Sequence, residues 1–280
     1  MLCREYIKIK RNTIIVFYKN VRSVPEKGVS FLQSTELMNI ALKAGEIMLT
    51  SGAEIYRVEE TIVRICNSYN LKCESFVLPT GIFISIENED GSMNTAFRRI
   101  RIRKVDLNRI DSVNNLSRSL QTVQPDCKTV LEKLNEINVV RQYSFPARIA
   151  AAALGSFSFT LIFQGSLYDG VAALSISAVS YLLREILTRK GFYQFLENFL
   201  AGILVGLLSI AACRLYPFLN EYKIIIGSIM LYLPGVSITN GIKDALYGDL
   251  VASLTRLGEA VLLVAVLAAG VGIALSIGTR

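Results

Sequence analysis

The 280-residue chain contains no histidine and no tryptophan. Without histidine it has no Ser-His-Asp or Cys-His catalysis and no histidine metal site. Its five cysteines (3, 66, 73, 127 and 213) are odd in number and form no C-x-x-C pair. They read as reduced thiols and small buried hydrophobes, not as a disulfide framework. No nucleophile–base pair is visible, so the chain is read as a non-enzyme with neither cofactor nor metal. Aromatic residues are missing around the densest basic run, Arg98-Arg99-Ile100-Arg101-Ile102-Arg103-Lys104, which alternates like a strand. A nucleic-acid surface needs stacking groups there, so nucleic acid is not expected as a partner. The short apolar run Ile14–Tyr18 lacks the long core and small-residue cleavage site of a secretory signal.

Charge is scarce in one half only. Residues 147–280 hold 9 of the 30 Lys+Arg and 7 of the 23 Asp+Glu; residues 1–146 hold 21 and 16. The first half reads as a water-soluble domain and the second as membrane. The basic excess of the first half suits anionic lipid head groups. Three regions are expected: an extension of unknown role over 1–33, an α+β domain over 34–146, and a transmembrane domain over 147–280.

In the α+β domain, Leu37, Ile40, Ala41, Ala44, Ile47 and Met48 recur at helical spacing, and Gly52 ends that helix. Ser51 and Glu54 make an S-x-x-E capping box for a second helix with Ile55, Val58, Ile62, Ile65 and Tyr69 inward. Strands follow at Cys73–Leu78, Ile82–Ile86 and Thr95–Arg103, punctuated by Pro79-Thr80-Gly81 and by Asn88-Glu89-Asp90-Gly91. Asp106 caps a helix with Leu107, Ile110, Val113 and Leu120 inward. Pro125 opens the last helix, with Val130, Leu131, Leu134 and Ile137 inward. The order α-α-β-β-β-α-α predicts helices covering an antiparallel sheet.

The second half predicts a bundle of five transmembrane helices, at about 147–168, 170–188, 195–214, 223–243 and 256–279. Arg141, Arg148, Arg184, Arg189 and Lys190 place the amino-terminal domain inside the cell. Asp169 falls in a short outer turn, where solvation is expected. Gly202-x-x-x-Gly206 marks close helix packing. Pro234-Gly235 lies near the middle of the fourth span, where loss of a backbone donor breaks a helix. Broken helices at this depth build transporter sites. Ser237, Asn240 and Asp244 share a helical face beyond the break, followed by Asp249, Arg256 and Glu259. A carboxylate here needs water, a partner charge or a substrate, and a proton-coupled role is one expectation. The candidate substrate path is therefore Pro234, Gly235, Ser237, Asn240, Asp244, Asp249, Arg256 and Glu259. Glu54, Arg57 and Glu59, with Pro79, Thr80 and Gly81, form a second motif in the amino-terminal domain: a charged helix face and a tight turn.

Two segments carry a family likeness. One is Ala44-Gly45-Glu46 through Ser51-Gly52-Ala53-Glu54-Ile55-Tyr56-Arg57-Val58-Glu59-Glu60-Thr61, followed by Leu78-Pro79-Thr80-Gly81-Ile82-Phe83. The other is Leu233-Pro234-Gly235-Val236-Ser237-Ile238-Thr239-Asn240-Gly241-Ile242-Lys243-Asp244, then Gly248-Asp249 and Arg256-Leu257-Gly258-Glu259. Over about residues 35–280 the chain resembles the threonine/serine exporter family. The resemblance implies a cytoplasmic domain fused to a transport module in the plasma membrane of a bacterium. It also implies threonine, serine or dicarboxylates such as succinate as substrates, and the proton motive force as the drive. Longer members carry roughly twice as many spans. The chain therefore looks like the amino-terminal half of a split exporter, working in a hetero-oligomer, or a higher oligomer, with a short membrane subunit that supplies the rest. Two rival readings are a membrane-anchored hydrolase with its site in 35–140 and a metabolite sensor that moves nothing.

Overall fold

The computed structural model describes residues 28–87, 91–101, 104–139 and 143–278, with side chains from Ser34 onward. The extension before Gly28, the turn residues Asn88-Glu89-Asp90, Ile102-Arg103, Arg141 and Arg280 lie outside the described residues. Two compact units emerge, one formed by 1–140 with 239–256, the other by 141–238 with 257–280. The stretch Thr239–Arg256, which sequence alone groups with the membrane half, thus belongs to the first unit.

The first unit begins with α1 (Gly28–Thr50) and α2 (Ile55–Ser68). Leu37, Met38, Ile40, Ala41, Leu42, Ala44, Ile47, Met48 and Leu49 are all buried. Helix α1 is therefore apolar around most of its circumference and runs through the core, wider than the single stripe its periodicity predicts. It ends at Gly52, whose φ of +85° suits a residue without Cβ. Ala53 N–H donates to Met48 O and Gly52 N–H to Leu49 O, the paired bonds of a Schellman stop. Helix α2 is amphipathic, with Ile55, Val58, Ile62 and Ile65 buried.

Strands β1 (Lys72–Leu78), β2 (Gly81–Glu87) and β3 (Met93–Arg99) form an antiparallel sheet in that order. The two-residue turn Pro79-Thr80 fixes the register of β1 on β2, pairing Leu78 with Gly81. Ile82, Ile84 and Ile86 face α1 and α2, while Phe76, Phe83 and Phe97 stand opposite one another on the other face. The third strand stops at Arg99, short of the predicted Arg103. Ile100 N–H still bonds Thr80 O in the same register, but Thr80 already belongs to the turn before β2, so the partner strand ends there, and Lys104 N–H bonds Thr50 O.

Helices α3 (Leu107–Ser119) and α4 (Cys127–Asn138) pack on α1, and α3 also on α2. Asp106 caps α3 as predicted, accepting from Arg109 N–H at 3.1 Å. Leu107 is 68% exposed, because as the first helical residue it has no neighbouring turn to cover it. Helix α4 starts two residues after Pro125, with Asp126 at its N-cap. Val130 and Leu134 are buried, but Leu131 lies open on its flank.

The second unit is helical: α5 (Phe145–Ile162), α6 (Leu167–Arg189), α7 (Gln194–Leu215) and α8 (Glu221–Ile229), then a 3-10 turn over Met230–Tyr232. Helices α9 (Gly235–Leu246) and α10 (Leu250–Gly278) each run from one unit into the other. Among the described residues, α5, α6, α7 and α10 are long and apolar enough to cross a membrane. The pair Glu221–Tyr232 and Gly235–Leu246, bent by 60° at its break, passes the same test only if taken together, fourth in chain order. The first span ends at Ile162, not Tyr168. There Gly165 N–H closes on Thr160 O, and Ser166 and Asp169 form a capping box that starts α6. Asp169 is not solvated as expected: it is 4% exposed and also accepts Asn220 N–H at 2.7 Å, which ties the start of α6 to the start of α8.

The glycine pair of α7 does pack closely. A Cβ at Gly202 would sit 2.6 Å from Leu267 O, and one at Gly206 would sit 2.5 Å from the Ala274 Cβ. Backbone cannot yield as a flexible side chain can, so Gly202→Val separates α7 from α10. We expect it to lower the melting temperature of the purified protein by the several degrees that about 2–3 kcal/mol implies. Gly272→Ala, on open helix surface, should leave it unchanged or raise it. Equal melting temperatures for Gly202→Val and the parent protein would refute the close contact.

Candidate functional site: a clamp on the Ser51–Ile55 loop and a broken span

Helix α2 begins at Ile55, and its orphan amide is not capped by its own sequence. The expected Ser51–Glu54 box does not form: Glu54 occupies the N-cap without a side-chain bond, and Ser51 Oγ is buried without a partner. Asp244 from α9 takes the role, its Oδ1 accepting Ile55 N–H at 3.0 Å. A local box was the natural expectation, but the Schellman turn gives the loop a different path and leaves the α2 amides open to a remote carboxylate.

The rest of the loop is bound as closely. Asn240 Nδ2 donates to Gly52 O at 2.7 Å, and Arg256 Nη2 donates to Ala53 O at 2.7 Å. Arg256 Nε lies 3.0 Å from Asp244 Oδ2. Asp244 is 0% exposed, Arg256 4% and Asn240 6%. Around this core, Lys243 Nζ meets Glu54 Oε1 at 2.9 Å, Arg57 meets Glu54 Oε2 at 3.4 Å, and Tyr56 stacks on Tyr247 at 3.9 Å between centroids. Gly248, at φ +93°, ends α9 with a second Schellman turn through Asp249 N–H to Asp244 O.

Burial pushes the Glu54 carboxyl up, but the hydrogen bond from Lys243, its own backbone amide and the Arg57 and Lys243 charges outweigh this. They leave it below the ordinary glutamate value. Glu59 goes the other way: burial raises it, the Val77 amide holds it back, and Asp249 raises it further. Its Oε1 accepts Val77 N–H at 2.8 Å, satisfying a donor on the open edge of β1.

Of the predicted site residues, Glu54, Arg57, Asn240, Asp244 and Arg256 thus meet in one clamp, with Glu59 and Asp249 beside it. Pro79, Thr80 and Gly81 form the hairpin turn instead, with Thr80 O turned to Ile100 and Gly81 against the Phe97 ring. Pro234, Gly235 and Ser237 lie at the break between the 3-10 turn and α9, in the second unit, and Glu259 is half-buried on α10. The bend falls where predicted: Leu233 is extended, Pro234 follows, and the ladder resumes with Ile238 N–H on Pro234 O. Glu221–Tyr232 covers roughly 20 Å of rise, less than the ~30 Å needed to cross a hydrocarbon layer before the break.

Polar groups that the sequence reading missed gather along this unit. Tyr232 OH and Ser180 Oγ are 2.5 Å apart, Thr188 Oγ1 donates to Glu197 Oε1 at 2.8 Å, and Arg184 lies 3.8 Å from Glu197. Ser156 bonds Ser177 and Gly227 O. Asn198 and Ser228 are buried, with Nδ2 and Oγ unpaired. Single serines in apolar helices look like filler in a sequence; only the packing shows them converging.

The molecule is a multi-pass helical membrane protein with one bent, interrupted helix pair and a unit that carries a small three-stranded sheet. Residues 39–278 match the ThrE family model, described as "Putative threonine/serine exporter", and the chain belongs to that family. It is 24% identical to a "Probable threonine/serine exporter" of Mycobacterium tuberculosis, over 91% of this chain and 48% of that one. It is 23% identical to the "Threonine/serine exporter" of Corynebacterium glutamicum, over 88% and 52%. It is 21% identical to a "Probable succinate transporter subunit YjjP" of Klebsiella aerogenes, over 85% and 92%. The chain thus spans about half the length of the two exporters. No solved structure matches it.

Cutting one arm of the clamp leaves the other charge buried. Arg256→Met and Asp244→Asn should each cost about 3–5 kcal/mol, read as a large fall in melting temperature. Asp244→Leu with Arg256→Met should recover much of that loss; a double variant as unstable as the sum of the singles would contradict the pairing. A pH scan tests the outer bridge. Glu54 titrates below its ordinary value when folded, so its contribution is intact at neutral pH. It is lost as pH falls from the ordinary glutamate value through the lowered one. Lys243→Met should flatten that acid limb, and an unchanged limb would remove Lys243 as its cause.

Proposed function

We propose that the chain is a subunit of a secondary active exporter of small metabolites, with its path at the break in the fourth span. The observation that carries this reading is the break itself, in a chain of an exporter family. An interrupted helix inside the hydrocarbon layer frees backbone groups that must bond water, side chains or a substrate. Tyr232 and Ser180 stand at that break with Pro234, Gly235 and Ser237, and they are the polar groups we assign to the path. Asn240, Asp244 and Arg256 hold the Ser51–Ile55 loop within the first unit.

The names of the relatives support threonine, serine and succinate as substrates to try. Coverage of nearly the whole of a transporter subunit, but about half of each exporter, supports a second membrane subunit that supplies further spans. We take the coupling ion to be the proton. We take the first unit to be cytoplasmic, because Arg148, Arg184, Arg189 and Lys190 gather at one end of the bundle, with Arg148 and Arg189 on Glu185.

The test is efflux of labelled threonine, serine and succinate from bacterial cells making this chain, with and without a short membrane subunit. We expect efflux of at least one of the three to need both proteins and to stop when an uncoupler collapses the proton gradient. Pro234→Ala and Tyr232→Phe should reduce it by about tenfold or more, a transition-state loss of some 1.4 kcal/mol each. Absence of flux for all three, with both proteins in the membrane, would defeat the reading, as would full flux in Pro234→Ala.

A further inference from the structure

The first unit contains a cleft of about 470 Å³ that the clamp does not use. This is within the range of small-molecule sites, ~300–1,000 Å³. One face of α1 supplies Lys43, Glu46, Ile47 and Thr50; Arg98 enters from β3 and Leu131 from α4. Two cations and one carboxylate therefore share a space also bounded by two apolar side chains. Arg98 Nη1 lies 3.1 Å from Glu46 Oε2, while Arg98 Nε is buried with no acceptor. Lys43 Nζ donates to Asn135 Oδ1 at the mouth.

A buried guanidinium N–H without an acceptor is costly, and a carboxylate is the group that satisfies it best. Lys43 and Arg98 outnumber Glu46, so an anionic group is favoured, but Glu46 repels a second one. A positive group placed beside that anion would meet Glu46 instead. Leu131 is 38% exposed although α4 otherwise turns its apolar residues inward, and with Ile47 it gives the ligand apolar lining.

We propose that this cleft binds a free α-amino acid, its carboxylate on Lys43 and Arg98 and its ammonium on Glu46. The proposal does not rest on the transport reading, because binding is measured without flux or a second subunit.

Isothermal titration of the full-length purified protein with threonine, serine and succinate is the experiment. Threonine or serine should bind more tightly than succinate. Lys43→Ala and Arg98→Ala should each weaken the amino acid by about tenfold or more, the usual effect of losing a charged hydrogen bond. Glu46→Gln should weaken the amino acid and strengthen succinate. Leu131→Trp fills the cleft without removing a charge and should abolish binding, with the melting temperature confirming the fold. No heat with either amino acid, tighter binding of succinate by the parent protein, or binding unchanged in the four variants would overturn the proposal. Efflux that persists without cleft binding would leave the exporter reading standing while this one falls.

Discussion

Two oxygens of one carboxylate organise the first unit. Asp244 gives one to the first amide of α2 and the other to Arg256, and Arg256 in turn holds a carbonyl of the same loop. A buried ion pair gains little over a hydrophobic one when intact, but losing either member strands the other. That asymmetry makes the cluster specific more than strong. Only a loop that presents the Gly52 and Ala53 carbonyls and the Ile55 amide in this order satisfies Asn240, Arg256 and Asp244 together. The glycine turns at both ends of the clamp are what bring those backbone groups to face outward, and the Tyr56–Tyr247 stack closes it.

Much of the fold was legible because it depends on local periodicity. Alternation gave Ile82, Ile84 and Ile86 their inward face, and Asp106 capped its helix with no help from elsewhere. The four long apolar helices and the bent pair were read from length and apolarity, and the break from one proline. Failures arose where a remote group supplied what the local sequence offered. Ser51 and Glu54 spell a capping box, but Asp244, far along the chain, occupies the position that the box would fill. The third strand was overrun because its partner β2 begins only at Gly81, so pairing ends at Ile100 however far the alternation runs on. The site was legible as residues and opaque as geometry. Both motifs were singled out, yet nothing in either says that one binds the backbone of the other.

The second unit follows the constraint that lipid places on polar atoms. Its serines and threonines bond backbone carbonyls or one another, as Ser156 does with Ser177 and Gly227 and Tyr232 with Ser180. Glycines at 202, 206 and 270 let α7 and α10 approach until backbone meets backbone. Without a hydrophobic drive between helices in a bilayer, such close packing and a few internal hydrogen bonds are what remain to hold them together. Against that economy, Asn198 and Ser228 stand out, because a bundle optimised for packing alone has no use for a buried donor left without an acceptor.

The burial of Asp244 also constrains any part it plays in proton coupling. A carboxylate that carries a proton through a transport cycle must meet water at some stage, and here it is sealed, capped and paired. Exposing it means parting it from Ile55 and Arg256. The cost resembles that of breaking a buried pair, about 3–5 kcal/mol. At about 1.4 kcal/mol per factor of ten, the open clamp is populated in roughly one molecule in a hundred to one in several thousand. A ligand or partner that makes such a state dominant must favour it by at least the same free energy, since a state is gained only through differential binding. A proton carried by Asp244 therefore requires the Ser51–Ile55 loop to leave in every cycle. A proton carried near Tyr232 requires no such opening, and the clamp can then stay closed through the cycle.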